Sequence, residues 1–188
     1  LEKNVCEDNA NCGISLSGSS HATVVQCRCT GNGSGIGVRE SAKVKLTSNT
    51  CSANKRNGIF FFDEAGGEIR SNQCERNTTG ISISDRANPH LEGNFCNNNS
   101  EIGIMYADYA SGVAKQNHCS NNGGLGVQIG DDASPDLLNN TCTGNAGGGI
   151  VYFDQARGSA RGNDVTRNGR RGLQVNDNAR PVVDNNRM

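Results

Sequence analysis

Six aspartates stand one repeat apart in this chain, at Asp63, Asp85, Asp108, Asp131, Asp154 and Asp177, with Glu40 one repeat ahead of them. Carboxylates in such a row offer two chemistries. They can hold a cation through oxygen ligands, or they can supply the acid and base of a glycosidase, whose retaining type sets two carboxyl groups about 5 Å apart. Asp63, Asp85, Asp108, Asp131 and Asp154 are therefore the candidate catalytic residues. Their regularity points the other way. Catalysis needs a constellation of unlike groups, whereas one residue type repeated coil after coil is what turn chemistry produces, with Asp accepting backbone N–H bonds where a strand ends. A turn role is the expectation.

Nine cysteines invite metal or disulfide chemistry, and their spacing argues against both. Cys6, Cys29, Cys51, Cys74, Cys96, Cys119 and Cys142 share one column of the repeat, where they act as small apolar fillers. Neighbours in such a stack lie close enough for a disulfide, but their parallel side-chain vectors disfavour one. Cys12 and Cys27 fall outside the column and are expected to be the accessible thiols. Cys27 and Cys29 lack a second cysteine pair at zinc spacing, and His21, His90 and His118 occupy different columns and coils. No metal and no cofactor is expected. Stacked free thiols favour a reducing compartment such as the cytoplasm, or burial deep enough to resist oxidation.

The elements that must carry these residues follow from the repeat. A glycine and an aliphatic residue recur every 22 or 23 residues, at Gly13-Ile14, Gly35-Ile36, Gly58-Ile59, Gly80-Ile81, Gly103-Ile104, Gly126-Val127, Gly149-Ile150 and Gly172-Leu173. Other columns keep the same register: a second apolar residue two positions on, an apolar column from Leu1 through Val24 to Val183, an alanine column from Ala42 to Ala179, and two asparagine columns three residues after and two before the cysteines. Cys27 is the exception within the second asparagine column. Short alternating segments separated by Gly, Asn, Asp and Pro read as strands and turns. One coil cannot bury its apolar side alone, but stacked coils align identical side chains into interior ladders and pair their strands in parallel. The fold expected is all-β, a right-handed single-stranded parallel β-helix of about eight coils. At about 4.8 Å per coil it would be roughly 38 Å long. A narrow solenoid has little interior to fill, which accounts for a hydrophobic fraction of 34% and the absence of tryptophan. Inward asparagines would donate to the coil on one side and accept from the coil on the other.

Positions facing outward from the Gly-Ile strands give a second set of candidates. Phe60, Phe62, Met105, Val151 and Phe153 are apolar, and they alternate coil by coil with Ser82, Ser84, Gln128 and Gln174. Exposed apolar side chains on a solenoid face mark contact with a partner, a second copy or a sugar ring. These five are the candidate binding residues. Eighteen basic and nineteen acidic residues, net charge -1, form no basic stripe for nucleic acid. No stretch is long enough to span a membrane as a helix.

The recurrent Asn-x-Cys-x-x-Asn, then Gly-Ile-x-apolar, Asp-x-Ala and a Pro or Gly turn resembles the parallel β-helix repeats of the carbohydrate-binding and sugar-hydrolase (CASH) group over the whole chain. It is similar to bacterial right-handed β-helix proteins and to the β-helix region of F-box substrate receptors, in which Pro and Gly turns also alternate. Here that alternation runs Gly67, Pro89, Gly112, Pro135, Gly158, Pro181. The resemblance implies a fold strongly and an activity weakly, because one scaffold hosts lyases, epimerases, hydrolases and recognition modules. Two functions stay open: a binding or scaffold module presenting a lateral face to a protein or glycan, which the regular columns favour, and a polysaccharide-active lyase, epimerase or hydrolase. Residues 1–188 read as a single β-helix domain. Leu1 enters in mid-repeat and Met188 stops on the cysteine column, so this domain is expected to belong to a longer chain or to self-associate through uncapped ends.

Overall fold

The computed structural model describes residues 1–188 and contains strands and turns alone. Each coil contributes to three parallel sheets, named here for their inward residues. The Gly-Ile sheet has eight strands, from Cys12–Leu16 through Asn57–Phe61, Ile102–Tyr106 and Gly148–Tyr152 to Arg171–Val175. The leucine sheet also has eight, from Thr23–Val25 through Gly66–Arg70 to Val182–Asp184. The cysteine sheet pairs four short strands, Val5–Glu7, Arg28–Thr30, Thr50–Ser52 and Gln73–Glu75, and continues as single parallel bridges from Gln73 through Phe95, His118, Thr141 and Asp164 to Arg187. Register pairs like with like: Ile81 lies beside Ile59 and Ile104, and Cys29 beside Cys6 and Cys51. Of 125 backbone hydrogen bonds, 74 fall outside the strands, so the turns stack as the strands do.

The repeated glycine is required by close approach. A Cβ on Gly35 would sit 2.4 Å from the Gly58 carbonyl oxygen and 2.9 Å from the Cys51 Cβ, and Gly80 and Gly103 meet the same obstruction one coil further on. Only a residue without a side chain lets this corner rest on the next coil. Beside it, apolar side chains fill the interior by size compensation. Tyr106 and Tyr152, both fully buried, are followed in their own coils by Ala114 and Ala160, where Ile83 and Ile129 are followed by Leu91 and Leu137; the Phe61 coil, with Ile69, keeps two large side chains. A close-packed core keeps its local volume, so the larger ring takes the space that a leucine leaves.

Polar groups inside are satisfied coil to coil. Twelve asparagines are buried. The Asn117 Oδ1 accepts the Asn94 backbone N–H at 2.9 Å and its Nδ2 at 2.9 Å, while Asn117 Nδ2 donates to Asn140 Oδ1 at 3.0 Å and to the Leu91 carbonyl at 3.2 Å. The other column repeats the pattern at Asn54, Asn77, Asn99 and Asn122. Each of these amides thus fills its four hydrogen-bonding positions, one of them with a backbone N–H at the corner of the coil. Cys27 occupies one such slot and is buried, with its Sγ facing the Asn4 N–H at 3.4 Å and its own N–H donating to Asn49 Oδ1. The expectation that Cys12 and Cys27 are the accessible thiols is corrected here: Cys12 and Cys6 are half-buried, and every other cysteine is buried. Burial pushes the Cys96 thiol well above its ordinary value and does the same to the Tyr106 hydroxyl. The Tyr106 and Tyr152 hydroxyls have no hydrogen-bond partner.

The Gly and Pro turns alternate for a steric reason. Gly112 and Gly158 adopt φ of 105° and 88°, and a Cβ on either would fall 2.2 and 2.1 Å from the carbonyl oxygen of Pro89 and Pro135 in the preceding coil. These corners accept only glycine, as does that of Gly67 at φ of 131°, where a Cβ would fall 2.0 Å from the Val44 carbonyl oxygen. At the two ends of the stack Leu1, Val5, Val182 and Met188 are exposed, each more than half.

Candidate functional site

The aspartate row is brought together at the exit of the Gly-Ile sheet. Asp63, Asp85, Asp108, Asp131, Asp154 and Asp177 all have φ between 52° and 58°, the left-handed region that Asp and Asn tolerate better than other side chains. Each uses its carboxylate in the same way. Oδ2 of Asp85 accepts the Asp63 N–H at 3.1 Å, Asp108 accepts from Asp85 at 3.1 Å, Asp131 from Asp108 at 3.0 Å, and Asp154 from Asp131 at 3.2 Å. Glu40 begins the row by accepting the Gly18 N–H at 3.1 Å. The sequence expectation of turn chemistry corresponds to this geometry. The carboxylates line up along the axis, all exposed, and no three His, Cys, Asp or Glu side chains converge on one point.

Beside the row lies a groove of about 640 Å³, lined by Glu40, Ser41, Asp63, Glu64, Asp85, Arg86, Asp108 and Tyr109. Its one aromatic wall, Tyr109, is 61% exposed, and the Arg86 guanidinium stands 5.6 Å from the ring centroid. Asp131 and Asp154 continue the row beyond the groove. Tyr109 is a residue that sequence reasoning missed. Its signal was a lone aromatic in a column otherwise filled by Ser41, Glu64, Arg86, Asp132 and Gln155.

The five apolar candidates do share the outer face of the Gly-Ile sheet, but two of them are not exposed. Phe60 and Val151 are each 3% exposed, while Phe62, Met105 and Phe153 are half-buried. Phe60 lies flat because Gly37, in the adjacent coil, has no side chain to lift it: a Cβ there would be 2.4 Å from the ring. Phe62 covers it from one side, with ring centroids 4.8 Å apart, and Arg39 from above at 5.0 Å. The face is thus partly sealed by its own neighbours.

Two smaller grooves open at opposite ends of that face. One, of about 220 Å³, is lined by Leu125, Gly147, Gly148, Val151, Phe153, Arg170 and Gln174. It joins candidate residues Val151 and Phe153 to a guanidinium and an amide. The other, of about 400 Å³, is lined by Asn11, Cys12, Ser15, Arg39 and Arg56. Its arginines were also missed from sequence, where Arg39 stands in the same outward row as Phe62 and Phe153, in one of the coils that alternate with theirs.

With the geometry in place, comparison with known proteins gives the following. The family described as "Right handed beta helix region" matches residues 1–114 and 98–188, and so the whole chain. No curated protein matches in sequence. Among solved structures, a double mutant of the periplasmic alginate epimerase AlgG superposes with a TM-score of 0.73 at 16% identity over 88% of this chain. The chain spans about half, 47%, of that protein. At this identity the likeness describes the fold.

Proposed function

Because the chain belongs to the right-handed β-helix family, we propose that it works as a binding module, a rod whose Gly-Ile sheet presents a lateral face to a glycan or protein partner. One observation carries this reading: every candidate carboxylate spends an oxygen on the same turn bond, so no acid is set opposite a base. By contrast, the sheet face offers two concave sites lined by unlike residues. Phe153 beside Gln174 and Arg170 combines a ring to stack against with groups that hydrogen-bond hydroxyls, a combination suited to saccharides and to polar chains.

A second reading, a polysaccharide-active lyase, epimerase or hydrolase, is favoured by the groove in which exposed Tyr109 faces stacked carboxylates. The two readings separate in one experiment. Affinity electrophoresis through a set of polysaccharides, run beside assays for new reducing ends, unsaturated ends and epimerised residues, should give retention without product. Phe153→Ala should weaken retention about tenfold, the effect of losing one stacked ring at a hot spot, and Asp108→Asn should leave it unchanged. Product formation that disappears in folded Asp108→Asn would overturn the binding reading in favour of the enzyme.

A further inference from the structure

We infer that the groove between Arg39 and Arg56 is a binding site for an oxyanion, a carboxylate, sulfate or phosphate group borne by the ligand of this face. The inference builds on the reading of the Gly-Ile sheet as a binding face and adds the chemistry that the face selects. Arg39 and Arg56 come from successive coils, are both exposed, and line one groove of about 400 Å³ together with Asn11, Cys12 and Ser15. That volume suits a single small ligand or one unit of a larger one.

Neither arginine forms an ion pair, whereas Arg28, Arg70 and Arg187 each reach a carboxylate. The acid nearest in sequence, Glu40, is otherwise engaged: its carboxylate accepts the Gly18 N–H at the turn. Two cationic forks are therefore left facing the groove in a chain whose acidic residues outnumber its basic ones.

Arg39 is also held in place. Its guanidinium stands 5.0 Å from the centroid of Phe60, and Phe60 is pinned to the sheet over Gly37. A guanidinium stacked on a ring keeps its edge N–H groups free, and it loses less rotamer entropy when a planar or tetrahedral oxyanion bonds to them. The Ser15 hydroxyl and the Asn11 amide stand in the same wall and can bond the hydroxyls next to the anionic group. The half-buried Cys12 thiol senses the same field: burial hinders its ionisation, and Arg39 and Arg56 both ease it.

The test is a titration of isotope-labelled protein, at low salt, with inorganic phosphate, inorganic sulfate, glucuronate, glucose 6-phosphate and glucose. Amide shifts should concentrate at Asn11, Cys12, Ser15, Arg39 and Arg56 with the anions and be absent with glucose, and the tightest anion names the group. Arg39→Gln and Arg56→Gln should each weaken that binding about tenfold while the amide spectrum away from the groove stays that of the folded parent. Anions that shift nothing in the groove, or bind both variants as well as the parent, overturn the inference. A glycan or protein retained equally by the parent and both variants would do so too, while leaving the binding-face reading intact. Anion binding in the groove with no polymer or protein ever retained would support this site and count against the wider reading.

Discussion

The interior asparagine columns and the exterior aspartate row make the same bond. In both, a side-chain oxygen at the corner of one coil accepts a backbone N–H from the coil before it: Asn117 from Asn94 at 2.9 Å inside, Asp108 from Asp85 at 3.1 Å outside. They differ in what surrounds the rest of the group. Asn117 is fully buried, and its Nδ2 must find acceptors, which it does at Asn140 and Leu91. Asp108 is exposed, so its second oxygen is left to water. Negative charges repeated at one-coil spacing are tolerable where the solvent screens them and prohibitive where it does not. The local dielectric, more than the bond, chooses between amide and carboxylate.

The hardest way to break this comparison is to exchange the two chemistries. Asn117→Asp puts an oxygen where Nδ2 now donates, against the Leu91 carbonyl and the Asn140 Oδ1, and it buries a charge without a partner. A loss of about 3–5 kcal/mol is expected, measured by urea unfolding. A loss below about 1 kcal/mol would refute the account, since that is what one ordinary hydrogen bond contributes.

A finer cut asks whether burial or partnership gives an interior polar atom its worth. Tyr106 has a buried hydroxyl with no partner, unlike the asparagines. Tyr106→Phe should leave stability unchanged or raise it by about 1 kcal/mol, because it removes a desolvated group that bonds to nothing. A clear destabilisation in the same denaturant titration would reveal a bond from this hydroxyl to an internal water.

The smallest effect should come from Asp108→Asn. The amide oxygen still accepts the Asp85 N–H, and one like charge leaves the row, so the change should stay within about 0.5 kcal/mol of zero. A larger loss in thermal melts would mean that the charge itself matters in that turn.

How much of this is legible in the sequence depends on whether a residue speaks for its column or only for itself. Gly-aliphatic pairs, Cys and Asn recur in nearly every coil, so their average environment could be read from spacing, and the parallel β-helix with its interior ladders follows from it. Phe60, Val151, Arg39 and Arg56 occur once. The burial of Phe60 depends on Gly37 in the neighbouring coil and on the direction Arg39 takes, neither of which a column records. Cys27 shows the same limit from the inside: leaving the cysteine column suggested exposure, yet the slot it entered was an interior one.

The alternation of Gly112 over Pro89 and Gly158 over Pro135 gives the coils from Gly67 to Pro181 a parity. Removing a single coil would set proline upon proline, and proline cannot take the positive φ that glycine holds at that corner, whereas removing two restores glycine over proline. Within that stretch the step that preserves these contacts is a pair of coils, and the outward residues of its sheet face, apolar in one coil and more polar in the next, follow the same double unit. Any ligand that reads the face along its axis meets a period of two coils, about 10 Å, a ruler kept in step with the Gly and Pro corners that follow each strand.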